Sequence, residues 1–270
     1  IFCLLPTEEA IAHSPRFGFI GRKEGLPNDA ISSIVQDERG FLWMGTKGGL
    51  CRYDGHNFLV FKNDPFDQNS LPNNLVQTLY MDANDLLWVG SYGGLSCLHT
   101  LTQQWKHYSN EGANPHSLSH DVVTAVTRDS RGRLWVGTLD GLNQLDVASG
   151  RFTRYYHDPS QIQTSLQSNT IRALLNDSKG RLWIGTYNGL HLYDSNTDSF
   201  TVYHQFPEST SPEDATLVMD IEEAPDGSLW LACWGTGISR FDPDSGSFTT
   251  WPLSDRRFYV IDVAAWPLVY

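Results

Sequence analysis

Short runs of apolar and β-branched residues, broken by turns rich in Gly and Asp, fill this chain, and one tetrad sets their rhythm. It reads Leu42-Trp43-Met44-Gly45, Leu87-Trp88-Val89-Gly90, Leu134-Trp135-Val136-Gly137 and Leu182-Trp183-Ile184-Gly185, with an altered copy at Leu229-Trp230-Leu231-Ala232. The five Trp stand 45, 47, 48 and 47 residues apart. A fixed period of that size marks a propeller or a solenoid.

The repeat can be laid out around the Trp. Upstream lies a β-rich run: Ile31 to Gln36, Val76 to Met81, Val123 to Arg128 and Ile171 to Asn176. An Asp six residues before the Trp and a Gly three before it (Asp37 and Gly40, Asp129 and Gly132, Asp177 and Gly180) form a turn into the tetrad. Asp suits the place because it bonds nearby backbone, and Gly because it tolerates positive φ. A second turn ends in Gly-Leu (Gly49-Leu50, Gly94-Leu95, Gly141-Leu142, Gly189-Leu190). A third strand then ends at Asp54, Asp146, Asp194 or Asp242, and a fourth is led by Phe58, Trp105, Phe152, Phe200 or Phe248. Four short strands joined by turns predict an all-β chain of four-stranded antiparallel sheets, the blades of a β-propeller.

Alternation puts Trp43 and Gly45 on one face of the strand and Leu42 and Met44 on the other. A large knob beside a vacancy suits interdigitation between neighbouring blades, so the tetrad Trp read as core. Burying one covers roughly 150–250 Å², on the order of 4–6 kcal/mol gross at about 25 cal/mol/Å².

A linker recurs before each inner strand, as Gly25-Leu26-Pro27-Asn28, Ser70-Leu71-Pro72-Asn73, Ser117-Leu118-Ser119-His120 and Ser165-Leu166-Gln167-Ser168. Residues 17–20 precede the first of these and are expected to form an outermost strand without a blade of its own, one that would close the last blade of a ring. From Phe17 to Tyr270 is about five and a half periods. The expected propeller is therefore incomplete, with about five blades and the start of a sixth at Tyr259 to Ala264. The alternative is that the irregular tail at Trp266-Pro267 ends a small closed ring.

Composition alters the picture in three places. Residues 1–12 carry an apolar start (Ile1-Phe2-Cys3-Leu4-Leu5) and a small-x-small step at Ala10-Ile11-Ala12, the pattern of a secretory-signal remnant; residues 13–270 are then the propeller. Formal net charge is −12 and no Lys/Arg-rich run stands out, which argues against a nucleic-acid partner. The four Cys make no framework: Cys51 and Cys97 lie on equivalent strands at offsets that face them opposite ways, and single buried thiols are expected.

The best copy, Asp177-Ser178-Lys179-Gly180-Arg181-Leu182-Trp183-Ile184-Gly185-Thr186-Tyr187-Asn188-Gly189-Leu190, resembles the two-component regulator propeller repeat, and similar copies cover residues 17 to 251. Departures are Asp85 for the turn Gly, His99-Thr100 for the strand-ending Asp, and Ala224 for Asp in the fifth copy. The resemblance implies part of a seven-bladed ring in the periplasmic sensor region of a hybrid histidine kinase or membrane diguanylate cyclase anchored in the inner membrane. It also implies an oligosaccharide-type small-molecule ligand, a following propeller and signalling domains of the same protein as partners, and a homodimer as a further option.

No His-Glu-x-x-His, Gly-x-Ser-x-Gly, Walker loop or Cys-x-x-Cys is present. No catalytic residue, metal or cofactor is expected, and this segment reads as non-enzymatic. A propeller lyase of the antibiotic-inactivating kind and a protein-docking propeller are the competing classes. The expected ligand face collects the turns between second and third strands (Lys47, Tyr92, Leu139-Asp140, Tyr187-Asn188, Trp234) with the linkers (Asn28-Asp29, Asn73-Asn74, His120-Asp121, Asn169). Lys47, Tyr92, Asp140, Tyr187, Asn188, Trp234, Asn74 and His120 are the candidate ligand-binding residues. Aromatic rings there suit the apolar face of a sugar and Asn and Asp its hydroxyls. The same Asn and Asp also serve as turn formers.

Overall fold

A computed structural model describes residues 20–204 and 217–251. Twenty strands form five antiparallel sheets, each of four strands consecutive in sequence and consecutive in space. Blade 1 is β1 (Ile31–Gln36), β2 (Leu42–Thr46), β3 (Gly49–Tyr53) and β4 (Phe58–Phe61). Blade 2 is β5 (Val76–Asp82), β6 (Leu86–Ser91), β7 (Gly94–His99) and β8 (Gln104–Tyr108). Blade 3 is β9 (Val123–Arg128), β10 (Leu134–Thr138), β11 (Gly141–Asp146) and β12 (Arg151–Tyr155). Blade 4 is β13 (Ile171–Asn176), β14 (Leu182–Thr186), β15 (Gly189–Asp194) and β16 (Ser199–Tyr203). Blade 5 is β17 (Leu217–Glu223), β18 (Leu229–Trp234), β19 (Gly237–Asp242) and β20 (Ser247–Trp251). The signal remnant, the strand over 17–20 apart from Ile20, and the sixth-blade strand at Tyr259 to Ala264 lie outside the described residues.

Each blade touches the next through its inner strand, and the tetrad makes that junction. An added Cβ at Gly45 would lie 2.6 Å from Val76 Cγ1, and one at Gly90, Gly137 or Gly185 would lie 2.6, 2.6 or 2.8 Å from Val123, Ile171 or Val218. The vacancy is thus filled by a β-branched residue at the start of the following inner strand, the first residue in β5, β9 and β13 and the second in β17. Trp43, beside that vacancy, is buried among Leu71, Val76, Leu79 and Leu87 of blade 2, whereas Met44 and Leu42 pack backwards on Leu26 and Cys51. The two faces therefore separate as alternation requires. Trp43, Trp88, Trp135 and Trp183 are fully buried, but Trp230 is only half-buried and stacks on Trp251 at a centroid distance of 5.3 Å. At the other end Ile31 and Ile34, whose counterparts in blade 2 are the buried Val76 and Leu79, are exposed. Both departures have one cause: among the described residues these two faces have no neighbouring blade.

In blades 1 to 4 the tetrad indole also has a partner six residues upstream. Asp37, Asp82, Asp129 and Asp177 accept the indole N–H of Trp43, Trp88, Trp135 and Trp183 at 3.0, 3.0, 2.9 and 2.8 Å. In three copies the other carboxylate oxygen takes two amides of the turn, as Asp129 does from Arg131 and Arg133. Burial alone would raise the Asp129 carboxyl; the Trp135 indole, the Arg133 amide and the Arg133 guanidinium outweigh it and hold it below the usual range. In blade 2, where Asp85 replaces Gly, Asn84 and Asp85 both adopt left-handed φ (60° and 58°) and the turn survives. Cys51, Cys97 and Cys233 are buried free thiols, with Cys51 beside Met44 and Cys97 in the cluster of Trp88 and Val123.

Candidate functional site

The turn between second and third strands is built the same way in four blades. A buried hydroxyl (Thr46, Ser91, Thr138, Thr186) donates to the carbonyl of the Gly three residues on, at 2.8 to 3.2 Å. It also accepts the amide two residues on, from Gly48, Gly93, Asp140 or Asn188, at 2.9 to 3.1 Å. The residue between is held through its backbone: Lys47, Tyr92, Leu139 and Tyr187 donate their amides to the carbonyls of Ala30, Leu75, Val122 and Thr170 in the linkers. Those bonds, 3.1 to 3.3 Å long, place every such turn beside the linker of its own blade. Gly94 and Gly141 reach across to the linker of the next blade, donating to Asp121 and Asn169 at 2.7 Å. The turns and linkers therefore share one face, as expected. The Asp–Trp turns lie at the opposite end of the strands.

The scaffold uses many of the linker's polar groups. Asn28, Asn73, His120 and Ser168 are equivalent, and each accepts the amide two residues on (Ala30, Leu75, Val122, Thr170) at 2.9 to 3.1 Å. The next residue in each linker (Asp29, Asn74, Asp121, Asn169) accepts the amide of Arg22, Asn63, Asn110 or His157 at the linker's far end. Asn74 and His120 thus each commit one atom to holding the loop, and His120, accepting at Nδ1, carries its proton on Nε2. Asp140 is tied to the neighbouring linker by Asn169 Nδ2 at 2.9 Å. Tyr92 and Tyr187 stay open, at 44% and 42% exposure, and Trp234 at 39%. Lys47 is exposed and Asn188 half-buried.

One residue on this face escaped sequence reasoning. Tyr156, 38% exposed, follows β12 and lies over Gly141: a Cβ there would sit 2.8 Å from Tyr156 Cε1. Its counterparts are Lys62, Ser109 and His204, so no repeat of residue type marks the position. Below the face a polar residue is sealed in β7, β11 and β15, where Ser96, Asn143 and His191 are fully buried. His191 accepts the Gln167 amide at Nε2, 3.0 Å away; burial, with His204 nearby, pushes its pKa down to about 3. Burial likewise lowers His107, whose ring meets Ser96 Oγ at 2.8 Å. Among the described residues no three His, Cys, Asp or Glu side chains are grouped to hold a metal ion, and no helix is long and apolar enough to cross a membrane.

Residues 25–48, 70–93, 117–140 and 165–188 match the family described as Two component regulator propeller. Each match runs from a linker through the inner hairpin to the turn on the face just described. A segment of 47 residues is 43% identical to a histidine kinase of Formosa agariphila, covering 17% of this chain and 3% of that protein. Among solved structures, the extracellular domain of a protein described as a hybrid two component system from B. thetaiotaomicron is similar with a TM-score of 0.55 and 26% identity, over 88% of this chain and 37% of that one. Virginiamycin B lyase from Staphylococcus aureus shares the fold, with a TM-score of 0.61 at 15% identity over 84% of this chain and 71% of the lyase. The chain thus spans well under half the length of the kinase and of the hybrid-system domain.

Proposed function

We propose that this chain, four segments of which match the two component regulator propeller family, is the ligand-sensing propeller of an exported bacterial signalling receptor. The observation that carries the reading is the turn–linker face. There, in blades 1 to 4, a repeated staple of Thr or Ser and Gly presents Lys47, Tyr92, Leu139 or Tyr187, and Tyr92, Tyr187 and, from the differently built turn of blade 5, Trp234 stand exposed. Variable side chains on a rigid frame are what recognition requires. The alternation of rings with Asn, Asp and His suits a ligand that is apolar on its faces and hydroxylated at its edges, an oligosaccharide.

The chain would sit in the periplasm, with a further propeller and a kinase or cyclase domain of the same protein, held in the inner membrane, reading its state. A dimer of receptors is compatible with that output. Ligand shifts such an equilibrium only by its difference in affinity between two states, so the domain following the propeller must change what the face contacts. No catalytic step is assigned to the chain.

Calorimetry of the chain against a panel of purified oligosaccharides tests the reading. The expected result is saturable binding by at least one panel member that falls at least about a hundredfold in a variant carrying Tyr92→Ala, Tyr187→Ala and Trp234→Ala, as loss of several aromatic contacts implies. Binding of none, or binding indifferent to the triple change, would overturn it.

A further inference from the structure

The turn of blade 3 presents Leu139 and Asp140 where blades 2, 4 and 5 present Tyr92, Tyr187 and Trp234. Tyr156 fills that gap from another element. Gly141, at φ 112°, has no side chain, and the Tyr156 ring occupies the space above it. Beside it the Gly141 amide donates to the Asn169 carbonyl, and Asn169 Nδ2 donates to Asp140 Oδ1. Asp140 and Asn169 are therefore fixed next to the glycine that Tyr156 covers. Four consecutive blades then each offer one aromatic ring, all exposed to a similar degree between 38% and 44%. Blade 1 breaks the series, with the exposed Lys47 and Lys62 at the two corresponding positions.

We infer that Tyr156 is a ligand-contacting residue and that blades 2 to 5 form one continuous track for a linear oligosaccharide several units long, rather than separate pockets for a monosaccharide. The inference rests on the recognition reading given above and goes further in assigning a residue and a ligand length. A single ring accounts for one sugar unit. Rings repeated blade after blade match a ligand whose faces also repeat, and Asp140, Asn169 and Asn188 in the same turns and linkers supply groups that can take hydroxyls. Each added unit that reaches another ring should strengthen binding until the track is filled.

The test is calorimetric titration of the full chain with size-fractionated oligosaccharides of one to six units, from partial hydrolysis of one neutral and one acidic polysaccharide. Affinity is expected to rise with length in at least one ladder. Tyr156→Ala should remove about five- to tenfold of the gain for the longer members and leave the shortest binder unchanged, in keeping with one aromatic contact. Tyr156→Phe should bind as the parent does. Tyr156→Leu covers Gly141 without offering an aromatic face and should behave as the Ala variant, which separates lost stacking from a disturbed turn. Length-independent binding, or titrations unaffected by Tyr156→Ala, would overturn the track while leaving recognition at the face standing. No binding in either ladder would overturn both.

Discussion

In blades 1 to 4 the third residue of the third strand is matched to the linker above it, and the match can be tested by exchanging pairs between blades. In blades 3 and 4 the linker residue after the buried Leu is Ser119 or Gln167, whose amides donate to Asn143 Oδ1 and His191 Nε2, both at 3.0 Å. In blades 1 and 2 the same linker position is Pro27 or Pro72, which has no amide hydrogen. The strand residues there are Cys51, in an apolar cluster, and Ser96, bonded to His107 instead. Asn143→Cys leaves the buried Ser119 amide without an acceptor, a cost of about 1–3 kcal/mol. Ser119→Pro strands Asn143 Oδ1 instead and removes the Ser119 hydroxyl that bonds Thr138 and Asn143 at 2.9 and 2.8 Å, a cost of similar size. The double variant rebuilds the pair of blade 1, so it should be more stable than the sum of the singles by about 1–2 kcal/mol, as coupled neighbours are. Urea unfolding of the four proteins measures this, and thermal midpoints should differ by about 2–4 °C for each kcal/mol. Additivity within about 0.3 kcal/mol would refute the matching of donor and acceptor.

Other substitutions test the junctions and the buried charges. Asp129→Ala strands the fully buried Trp135 indole and frees Arg133, and should cost about 2–3 kcal/mol in urea unfolding; loss of under about 0.5 kcal/mol would show the bond to be incidental. Gly137→Ala drives a methyl into Ile171 and should cost about 1–3 kcal/mol, whereas Gly112→Ala, which meets nothing within 4 Å, should be neutral or slightly stabilising by the same assay. His191 is held neutral with its pKa pushed down to about 3, so its contribution is complete above the ordinary value of 6.5 and declines as pH falls from there toward 3. His191→Asn, copying Asn143, should therefore flatten the pH dependence of the unfolding free energy in urea across that window, by up to about 1.4 kcal/mol per pH unit. Parallel curves for the two proteins would exclude His191 as the source.

Much of this architecture was legible because the repeat states it five times. The inner strands expected at Ile31 to Gln36, Val123 to Arg128 and Ile171 to Asn176 have those bounds, and only β5 runs one residue longer, to Asp82. The shared face of Trp43 and Gly45 followed from alternation alone. What fills the vacancy did not, because Val76 lies on another sheet and nothing local to Gly45 names it. The Asp–Trp bond had a readable signal, a constant six-residue offset lost at Ala224, yet the Asp explained itself as a turn former first. Asn74 and His120 are the converse: as polar residues on the right face they suggested ligand contacts, and the fold shows that each also closes its own linker. Tyr156 was invisible because its place in the repeat is occupied by Lys, Ser, Tyr or His in turn, and only its position over Gly141 brings it to the face.

Hydrogen–deuterium exchange of the chain with and without the tightest-binding oligosaccharide tests the central claim most directly, because it reports which end of the blades meets the ligand. The account predicts added protection at the linkers 28–30, 73–75, 120–122 and 168–170 and at the turns around Tyr92, Asp140 and Tyr187. The turns that follow Asp37, Asp129 and Asp177 at the opposite end should be unchanged. Protection confined to those Asp–Trp turns, or spread equally over both ends, would contradict it.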